Sequence, residues 1–155
     1  VTHQRNDYCP RLYVLTKRFF TMIQKIVINM TPERDFMLNG GAKLEKLNPK
    51  EMLLYAAADC AGRTILGLLK EHSQEMLSME ITMEGTLSTP VLQAESRYTS
   101  FNIIYNIECH TLKNQIIISR AVNLAHDKYC GLLQMLRKIA PLSHELSIVA
   151  VDDKA

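Results

Sequence analysis

Five stretches of the chain have the pattern of apolar and polar residues that is typical of β-strands. Two of them are rich in β-branched and aromatic side chains, which favour the extended conformation. Two others alternate between apolar and polar positions, so that one face of each strand is buried and the other is solvated. The last is a short apolar run near the end of the chain. In chain order, the predicted strands cover residues 12–20, 23–29, 79–87, 101–109 and 146–151.

A longer apolar stretch predicts a buried helix over residues 49–72. Asn48 is a favourable N-cap residue, and the proline that follows it suits the first helical position. Between positions 52 and 69 only three side chains are clearly polar, and a helix that is apolar on nearly every side is typical of a protein core. Residues 114–140 predict further helical structure, in one piece or in two.

The order of these elements predicts an α+β fold, because strands, helix, strands, helix and strand follow one another without the regular βαβ alternation of parallel sheets. Residues 31–48 read as a loop that contains Pro32 and the pair Gly40–Gly41. One chain of this length has little sheet with which to cover so apolar a helix. We therefore expect a partner subunit to supply part of the cover.

Length and composition indicate an ordinary soluble domain. The chain has 155 residues, of which 47% are apolar and 22% charged, and its net charge is +2. Such a small charge argues against nucleic acid and membrane surfaces as partners. Asp59 and Arg63 in the middle of the long helix argue against a membrane span. Lys17 and Arg18 interrupt the apolar residues near the N-terminus, so we expect no secretory signal and a cytoplasmic protein.

Four widely spaced cysteines, Cys9, Cys60, Cys109 and Cys130, form no CxxC pair. They therefore predict neither a disulfide scaffold nor a zinc ribbon, and cytosolic thiols are the better interpretation. Cys109 is in phase with the apolar face of its strand and is interpreted as a core residue. Cys9 lies in the N-terminal segment and is interpreted as incidental.

Cys60, at the centre of the long helix, has two interpretations. It is either a packed core thiol, since free cysteine is among the most buried residue types, or a reactive one that the helix positions. Arg63 also has two interpretations. It either pairs with Asp59 one turn before it, in the favourable order for a helix ion pair, or lowers the pKa of the Cys60 thiol.

Cys130 also depends on local structure that the pattern leaves open. If Asp127 caps a new helix, Cys130 lies in its first turn, where the helix dipole favours a thiolate. If one helix runs through from residue 114, that advantage disappears. His126, four residues before Cys130, could share its face as half of a metal site, but no HxxxH or CxxC spacing supports this.

Two motifs taken together resemble the OsmC/Ohr family of osmotically induced and organic hydroperoxide resistance proteins. "GG" in a loop precedes "NPKEMLLYAAADC" at the start of the buried helix, and "HDKYCGLLQML" follows about seventy residues later. The resemblance spans roughly residues 23–151. It implies an OsmC-like domain over 23–155 preceded by an N-terminal extension, 1–22. It also implies an intertwined homodimer in which antiparallel sheets wrap the long central helices.

The resemblance further implies a thiol peroxidase that needs no metal or bound cofactor. Cys60 would attack the O–O bond of an organic hydroperoxide and become a sulfenic acid, and Cys130 would condense with it to a disulfide. An external dithiol such as a lipoyl group would then reduce that disulfide. The alternative function is a dimer of the same fold that binds a small apolar or thiol-reactive ligand without efficient turnover.

Active members of the family hold the peroxidatic cysteine with a glutamate near the helix start and an arginine from an N-terminal loop. In the hydroperoxide-resistance branch the carboxylate directly follows the proline, where this chain has Lys50, and Glu51 comes next. No glycine-rich arginine loop is recognisable. Arg34 is the nearest candidate, unless it is an exposed loop charge, and Arg63 could act from within the helix.

Overall fold

The structure, a computed structural model, describes residues 22–89 and 96–151. The predicted strand at 12–20 and nearly all of the predicted N-terminal extension lie outside these residues. The helices and strands are β1 (Met22–Met30), β2 (Phe36–Leu38), α1 (Pro49–Leu69), β3 (Met76–Leu87), β4 (Tyr98–Cys109), α2 (Leu112–Leu124), α3 (Gly131–Leu136) and β5 (Leu142–Ala150). Strand β2 lies in the stretch predicted as a loop, and the other helices and strands follow the predicted order.

The described strands form one five-stranded sheet in the order β2-β1-β3-β4-β5. The pairs β1–β2, β1–β3 and β3–β4 are antiparallel, as predicted. The prediction of purely antiparallel sheets is wrong for β4 and β5, which are parallel. The reason is the connection between them, because α2 and α3 cross over the sheet and return the chain in the direction of β4. The fold is therefore α+β with a mixed sheet.

Helix α1 begins at a capping box. The Asn48 side chain accepts hydrogen bonds from the backbone amides of Lys50 and Glu51, and the Glu51 carboxylate accepts one from the Asn48 amide. One side of the helix packs on the sheet and buries Leu54, Ile65 and Leu69. The stretch Pro49–Glu75 is long and apolar enough to cross a membrane, but this packing is that of a core helix.

The opposite side of α1 is left uncovered by the described part of the chain. Met52 is 50% exposed, Arg63 and Gly67 are exposed, and Ala56 and Cys60 are partly buried. At 100° per residue these five positions form one strip along the helix. We call Met52, Ala56, Cys60, Arg63 and Gly67 the open strip. An apolar helix that is half covered by its own chain agrees with the expectation that cover comes from outside.

Gly62 allows α1 to approach β2 closely. A Cβ atom at this position would lie 2.4 Å from the ring of Phe36. We expect Gly62→Ala to lower the free energy of unfolding by about 1–2 kcal/mol, because over-packing costs more than the gain in helix propensity. Chemical denaturation followed by circular dichroism measures it.

Gly67 provides the matched control, because it lies in the same helix and a Cβ atom there would meet nothing within 4 Å. In the single chain, measured at a concentration at which the protein is monomeric, Gly67→Ala should raise the free energy of unfolding by about 0.5–1 kcal/mol through helix propensity. Equal effects of the two substitutions would show that the Phe36 contact does not limit the approach of α1 to β2.

Candidate active site

Two thiols from distant parts of the chain face each other. The Cys130 thiol donates a hydrogen bond to the Cys60 sulfur, and their Sγ atoms lie 3.3 Å apart. Cys60 lies near the middle of α1, and Cys130 is the residue immediately before α3. The fold therefore brings together the two cysteines that the sequence motifs single out, at a separation that a disulfide bond would close by little more than an ångström.

Local structure fixes the position of each thiol. On α1, the Thr64 hydroxyl donates to the Cys60 carbonyl oxygen at 2.7 Å. A π-helical turn, Ala125–Tyr129, lies between α2 and α3. It closes with a 2.9 Å hydrogen bond from the Cys130 amide to the Ala125 carbonyl. This turn breaks what would otherwise be one helix and places Cys130 at its end, beside α1.

The two thiols differ in exposure and in proton affinity. Cys60 is partly buried, whereas Cys130 is fully buried. The pKa of Cys130 is raised to about 11, mainly by burial and also by the neighbouring Cys60 sulfur, against the lowering effect of the amides of Leu133 and Leu132. Cys130 therefore keeps its proton at neutral pH and acts as the hydrogen-bond donor of the pair. A reagent from solvent meets Cys60 first.

Neither sequence alternative for Cys130 describes this arrangement fully. A new helix does begin here, but Cys130 itself is the N-cap residue of α3, and Asp127 lies inside the π-helical turn. Helix α3 has six residues, Gly131–Leu136. The gain from its N-terminus is smaller than the cost of burial, since the net effect on Cys130 is a raised pKa.

Glu51 does not reach the thiols within its own chain. Its carboxylate is held by the Asn48 amide at 2.9 Å as part of the capping box. Nine residues separate it from Cys60, which is about 13 Å along an α-helix. Its position at the helix start explains its conformation without any catalytic role.

The two candidate arginines also have other partners. Arg63 donates from Nε to Asp59 at 2.9 Å and from a terminal nitrogen to Asp35 at 3.0 Å. Arg34 lies in the left-handed region (φ 66°) and donates to the Met76 carbonyl oxygen at 2.8 Å. In the described residues of one chain, both guanidinium groups therefore stabilise the loop between β1 and α1, and neither donates a hydrogen bond to Cys60.

A buried polar cluster next to Cys130 escaped the sequence reasoning. The ring of His126, in the π-helical turn, lies 4.0 Å from that of His144 on β5, and the ring of Tyr105 on β4 lies 6.5 Å from that of His144. Arg137 donates to the His126 carbonyl oxygen at 2.9 Å. The Tyr105 hydroxyl and His126 Nδ1 are buried without a hydrogen-bond partner among the described residues. Only a three-dimensional arrangement could reveal these neighbours.

The pKa of His126 is lowered to about 4, mainly by burial and also by the adjacent His144 and Arg137, against the raising effect of Asp127. An unfolded histidine binds its proton near pH 6.5, so between pH 6.5 and 4 the unfolded state binds more protons than the folded state. We expect the free energy of unfolding to fall as the pH drops through this window, by on the order of 2 kcal/mol in total.

Urea denaturation at a series of pH values measures this loss, with His126→Phe as the test variant. Phenylalanine keeps a ring against His144 but binds no proton, so the free energy of unfolding of the variant should change less between pH 6.5 and 4. The matched control is His72→Gln, since His72 is exposed and its replacement should leave the profile unchanged. Parallel profiles for His126→Phe and the unmodified chain would contradict the expectation.

Two further candidates from the sequence are the Cys109 thiol and a metal site at His126 and Cys130. The Cys109 thiol is buried and donates to the Thr111 carbonyl oxygen at 3.4 Å, which agrees with a core role. Within residues 22–89 and 96–151, no group of three or more histidine, cysteine or acidic residues could hold a metal ion. His126 and Cys130 thus lack a third ligand in that part of the chain.

The chain is similar in sequence to known proteins. The model of the OsmC-like protein family matches residues 40–145, which include both thiols. Protein YhfA of Escherichia coli (strain K12) is 25% identical over 114 residues, or 74% of this chain and 82% of YhfA.

Two crystal structures share the fold. A hypothetical protein from Aquifex aeolicus VF5 has 22% identity and a TM-score of 0.56 over 85% of this chain and 98% of its own. An OsmC like protein from Mycoplasma pneumoniae has 11% identity and a TM-score of 0.54 over 83% of this chain and 96% of its own. The architecture is thus that of known proteins along most of its length.

Proposed function

The chain belongs to the OsmC-like protein family, as its sequence motifs predicted, and from this premise we propose that it is a thiol-dependent peroxidase that reduces organic hydroperoxides. The single observation that carries the proposal is the 3.3 Å separation of the Cys60 and Cys130 sulfurs. Two thiols so close, one partly accessible and one buried, suit the two halves of a peroxidatic cycle.

The cycle has three steps. The Cys60 thiolate attacks the outer oxygen of the hydroperoxide, the O–O bond breaks, and Cys60 becomes a sulfenic acid while the alcohol leaves with a proton. The Cys130 thiol then condenses with the sulfenic acid, which forms the Cys60–Cys130 disulfide and releases water. Finally an external dithiol, lipoyl or similar, reduces the disulfide by two exchanges and leaves as its own disulfide. No metal ion or bound cofactor takes part.

The hydrogen bond between the thiols supports the first step. Because burial keeps the proton on Cys130, its S–H group can stabilise negative charge on Cys60. The same contact holds the resolving sulfur within reach when the sulfenic acid forms. Cys130 belongs to the apolar core, which includes Ala57 and Leu133, and Cys60 packs against it; such surroundings suit an organic substrate better than hydrogen peroxide.

One observation favours a second candidate, a dimer that binds a small apolar or thiol-reactive ligand without efficient turnover. In the described residues of one chain no guanidinium donates a hydrogen bond to Cys60, since Arg34 and Arg63 hold other partners. A thiol without a neighbouring cation is a slow nucleophile. Efficient peroxidase activity then requires that a cation approach Cys60 from another chain or from a rearranged loop.

A rate assay distinguishes the two candidates. Purified protein is mixed with cumene hydroperoxide and either dithiothreitol or dihydrolipoamide, and hydroperoxide loss is followed at several protein concentrations. The peroxidase proposal expects turnover that saturates with substrate and exceeds the reaction of free dithiol by at least about 10³-fold. A rate no greater than that of a free thiol at the same concentration would favour the binding protein.

The proposal includes a homodimer in the cytoplasm. The support is the open strip on α1, because Met52 and Gly67 are exposed there on a mostly apolar helix. A second copy laid against this strip would cover it and would bring its own residues beside Cys60, which is part of the strip. The reduced thiols are compatible with a cytoplasmic location.

We expect analytical ultracentrifugation to give twice the chain mass of 17.7 kDa. Met52→Asp should shift the protein toward the monomer, because the substitution would bury an unpaired charge in the interface. The matched control is Met37→Asp, since Met37 is 55% exposed but lies outside the open strip, on β2. Monomers of the unmodified chain, or an equal shift in both variants, would contradict a dimer formed through α1.

A further inference from the structure

The π-helical turn before Cys130 changes which backbone groups pair with each other. In an α-helix, the Cys130 amide would donate to the carbonyl oxygen of His126, four residues earlier. In this turn it donates instead to the Ala125 carbonyl oxygen, five residues earlier, at 2.9 Å. The His126 carbonyl therefore loses its usual donor. Because His126 is buried, leaving that carbonyl unpaired would be costly.

Two side chains that follow Cys130 in the sequence supply donors to the His126 carbonyl oxygen. Gln134 Nε2 lies 3.0 Å from this oxygen, and a terminal nitrogen of Arg137 lies 2.9 Å from it. The backbone amide of Gln134 also donates to the Cys130 carbonyl oxygen at 3.1 Å. Gln134 thus holds the backbone on both sides of the bend. We call the side chains of Gln134 and Arg137 the carbonyl clamp.

The register of the turn decides where the Cys130 thiol points. A shift of one residue turns a helical position by about 100° around the axis. In the observed register the Cys130 sulfur is fully buried and lies 3.3 Å from the Cys60 sulfur. An α-helical register would return the Cys130 amide to the His126 carbonyl and turn the thiol away from α1. A carbonyl oxygen has two lone pairs, and the two donors of the carbonyl clamp use both.

We propose that Gln134 and Arg137 are positioning residues, which occupy the His126 carbonyl and so keep the turn in its π-helical register. In that register the resolving thiol stays beside Cys60. The inference rests on the proposed Cys60–Cys130 disulfide and assigns the carbonyl clamp to its formation. The two side chains act through the backbone of the turn.

The double variant Gln134→Met with Arg137→Met tests the inference. Methionine keeps an unbranched side chain and a good helix propensity but donates no hydrogen bond. The protein is equilibrated under native conditions with mixtures of reduced and oxidised glutathione, and the fraction of Cys60–Cys130 disulfide is measured by alkylation and mass. We expect the equilibrium constant for disulfide formation to fall about 10-fold or more, because the α-helical register becomes populated when both hydrogen bonds are lost.

A second measurement follows the orientation of the thiol without any disulfide. In a Cys60→Ser background, Cys130 is alkylated with iodoacetamide under native conditions, and the rate is determined from the peptide masses. The double variant should be alkylated about 10-fold faster at Cys130, since an α-helical register removes the thiol from its buried position. Cys109 is also a buried free thiol, and its rate in the same sample reports any general loosening of the fold. The ratio of the two rates isolates the movement of Cys130.

Gln115→Met is the matched control. Gln115 Nε2 donates to the Ile148 carbonyl oxygen at 2.8 Å, so the variant loses the same kind of hydrogen bond between α2 and β5. It should lower the free energy of unfolding but leave both readouts within about twofold, because the bond lies away from the turn. Arg137→Lys keeps one donor and should retain more of the disulfide equilibrium constant than Arg137→Met.

Unchanged readouts in the double variant, or equal changes in Gln115→Met, would overturn the inference while leaving the peroxidase cycle intact. If the double variant does not fold, the single variants Gln134→Met and Arg137→Met replace it, each with an expected change of about threefold. A chain that forms the disulfide with glutathione but consumes no hydroperoxide would overturn the proposed peroxidase, and the two readouts would still decide the role of the carbonyl clamp. An unmodified chain that forms no such disulfide would overturn both.

Discussion

Cys60→Ser is expected to reduce hydroperoxide consumption by at least about 10³-fold, which corresponds to roughly 4 kcal/mol of transition-state stabilisation. A serine hydroxyl stays protonated at neutral pH and attacks the O–O bond poorly, so the variant retains no nucleophile at this position. The Cys130 thiol cannot replace it, because Cys130 is fully buried and burial raises its pKa to about 11. Steady-state consumption of cumene hydroperoxide with dithiothreitol measures the effect.

The matched control is Cys109→Ser, which exchanges sulfur for oxygen at another buried cysteine. The Cys109 thiol donates to the Thr111 carbonyl oxygen, and a serine hydroxyl can make the same hydrogen bond. Activity of this variant should stay within about twofold of the unmodified chain, since a structural change away from the site alters the barrier little. Equal losses in both variants, or turnover by Cys60→Ser, would exclude Cys60 as the nucleophile.

Cys130→Ser should separate the two halves of the cycle. The first oxidation is retained, because Cys60 and its exposure are unchanged, but the sulfenic acid has no neighbouring thiol with which to condense. A thiol held 3.3 Å away acts at a far higher effective concentration than millimolar external dithiol, so turnover should fall roughly 10²-fold or more. With excess hydroperoxide, Cys60 should oxidise further to sulfinic acid and the variant should lose activity progressively.

Intact-mass measurement after one equivalent of hydroperoxide checks this expectation directly. The variant should gain the mass of one oxygen atom, whereas the unmodified chain should lose the mass of two hydrogen atoms. Cys130→Ala, which lacks any hydrogen-bond donor, helps to separate resolution from activation. If its first oxidation is slower than that of Cys130→Ser, the group at position 130 also activates Cys60. Normal turnover in either variant would contradict a resolving role for Cys130.

The long helix and most strands were predictable because local and global signals agree along them. Asn48 and Pro49 define the start of α1, and the apolar residues that follow fit a core helix and little else. The alternation at 101–109 places Phe101, Tyr105 and Cys109 on the buried face that the structure has. Elements of this kind need no information from distant parts of the chain.

The exceptions depend on tertiary contacts. Strand β2 has three residues, too few to give a periodic signal, and it forms because Phe36 and Leu38 are buried beside β1 and α1. The stretch predicted as helix, 114–140, contains a π-helical turn, Ala125–Tyr129, which has no glycine or proline and in which Ala125 and His126 are buried. The parallel pairing of β5 likewise follows from the path of this connection.

The site was predictable only in part. Two motifs identified Cys60 and Cys130, and their separation in sequence gave no hint of a 3.3 Å contact without the family resemblance. Glu51, Arg34 and Arg63 each have another partner in the described chain. Their contacts therefore give no support for the catalytic roles predicted for them, and these roles stay predictions. Capping and ion pairing are local interactions that compete with a distant catalytic role.

Mapping of the thiols after stoichiometric oxidation shows whether a hydroperoxide joins Cys60 to Cys130. The reduced protein receives one equivalent of cumene hydroperoxide, free thiols are alkylated under denaturing conditions, and the digested peptides are identified by mass. We expect the peptides of Cys60 and Cys130 to be recovered joined by a disulfide, while Cys109 is alkylated. Recovery of Cys60 and Cys130 as separate alkylated peptides, with the hydroperoxide unconsumed, would contradict this expectation.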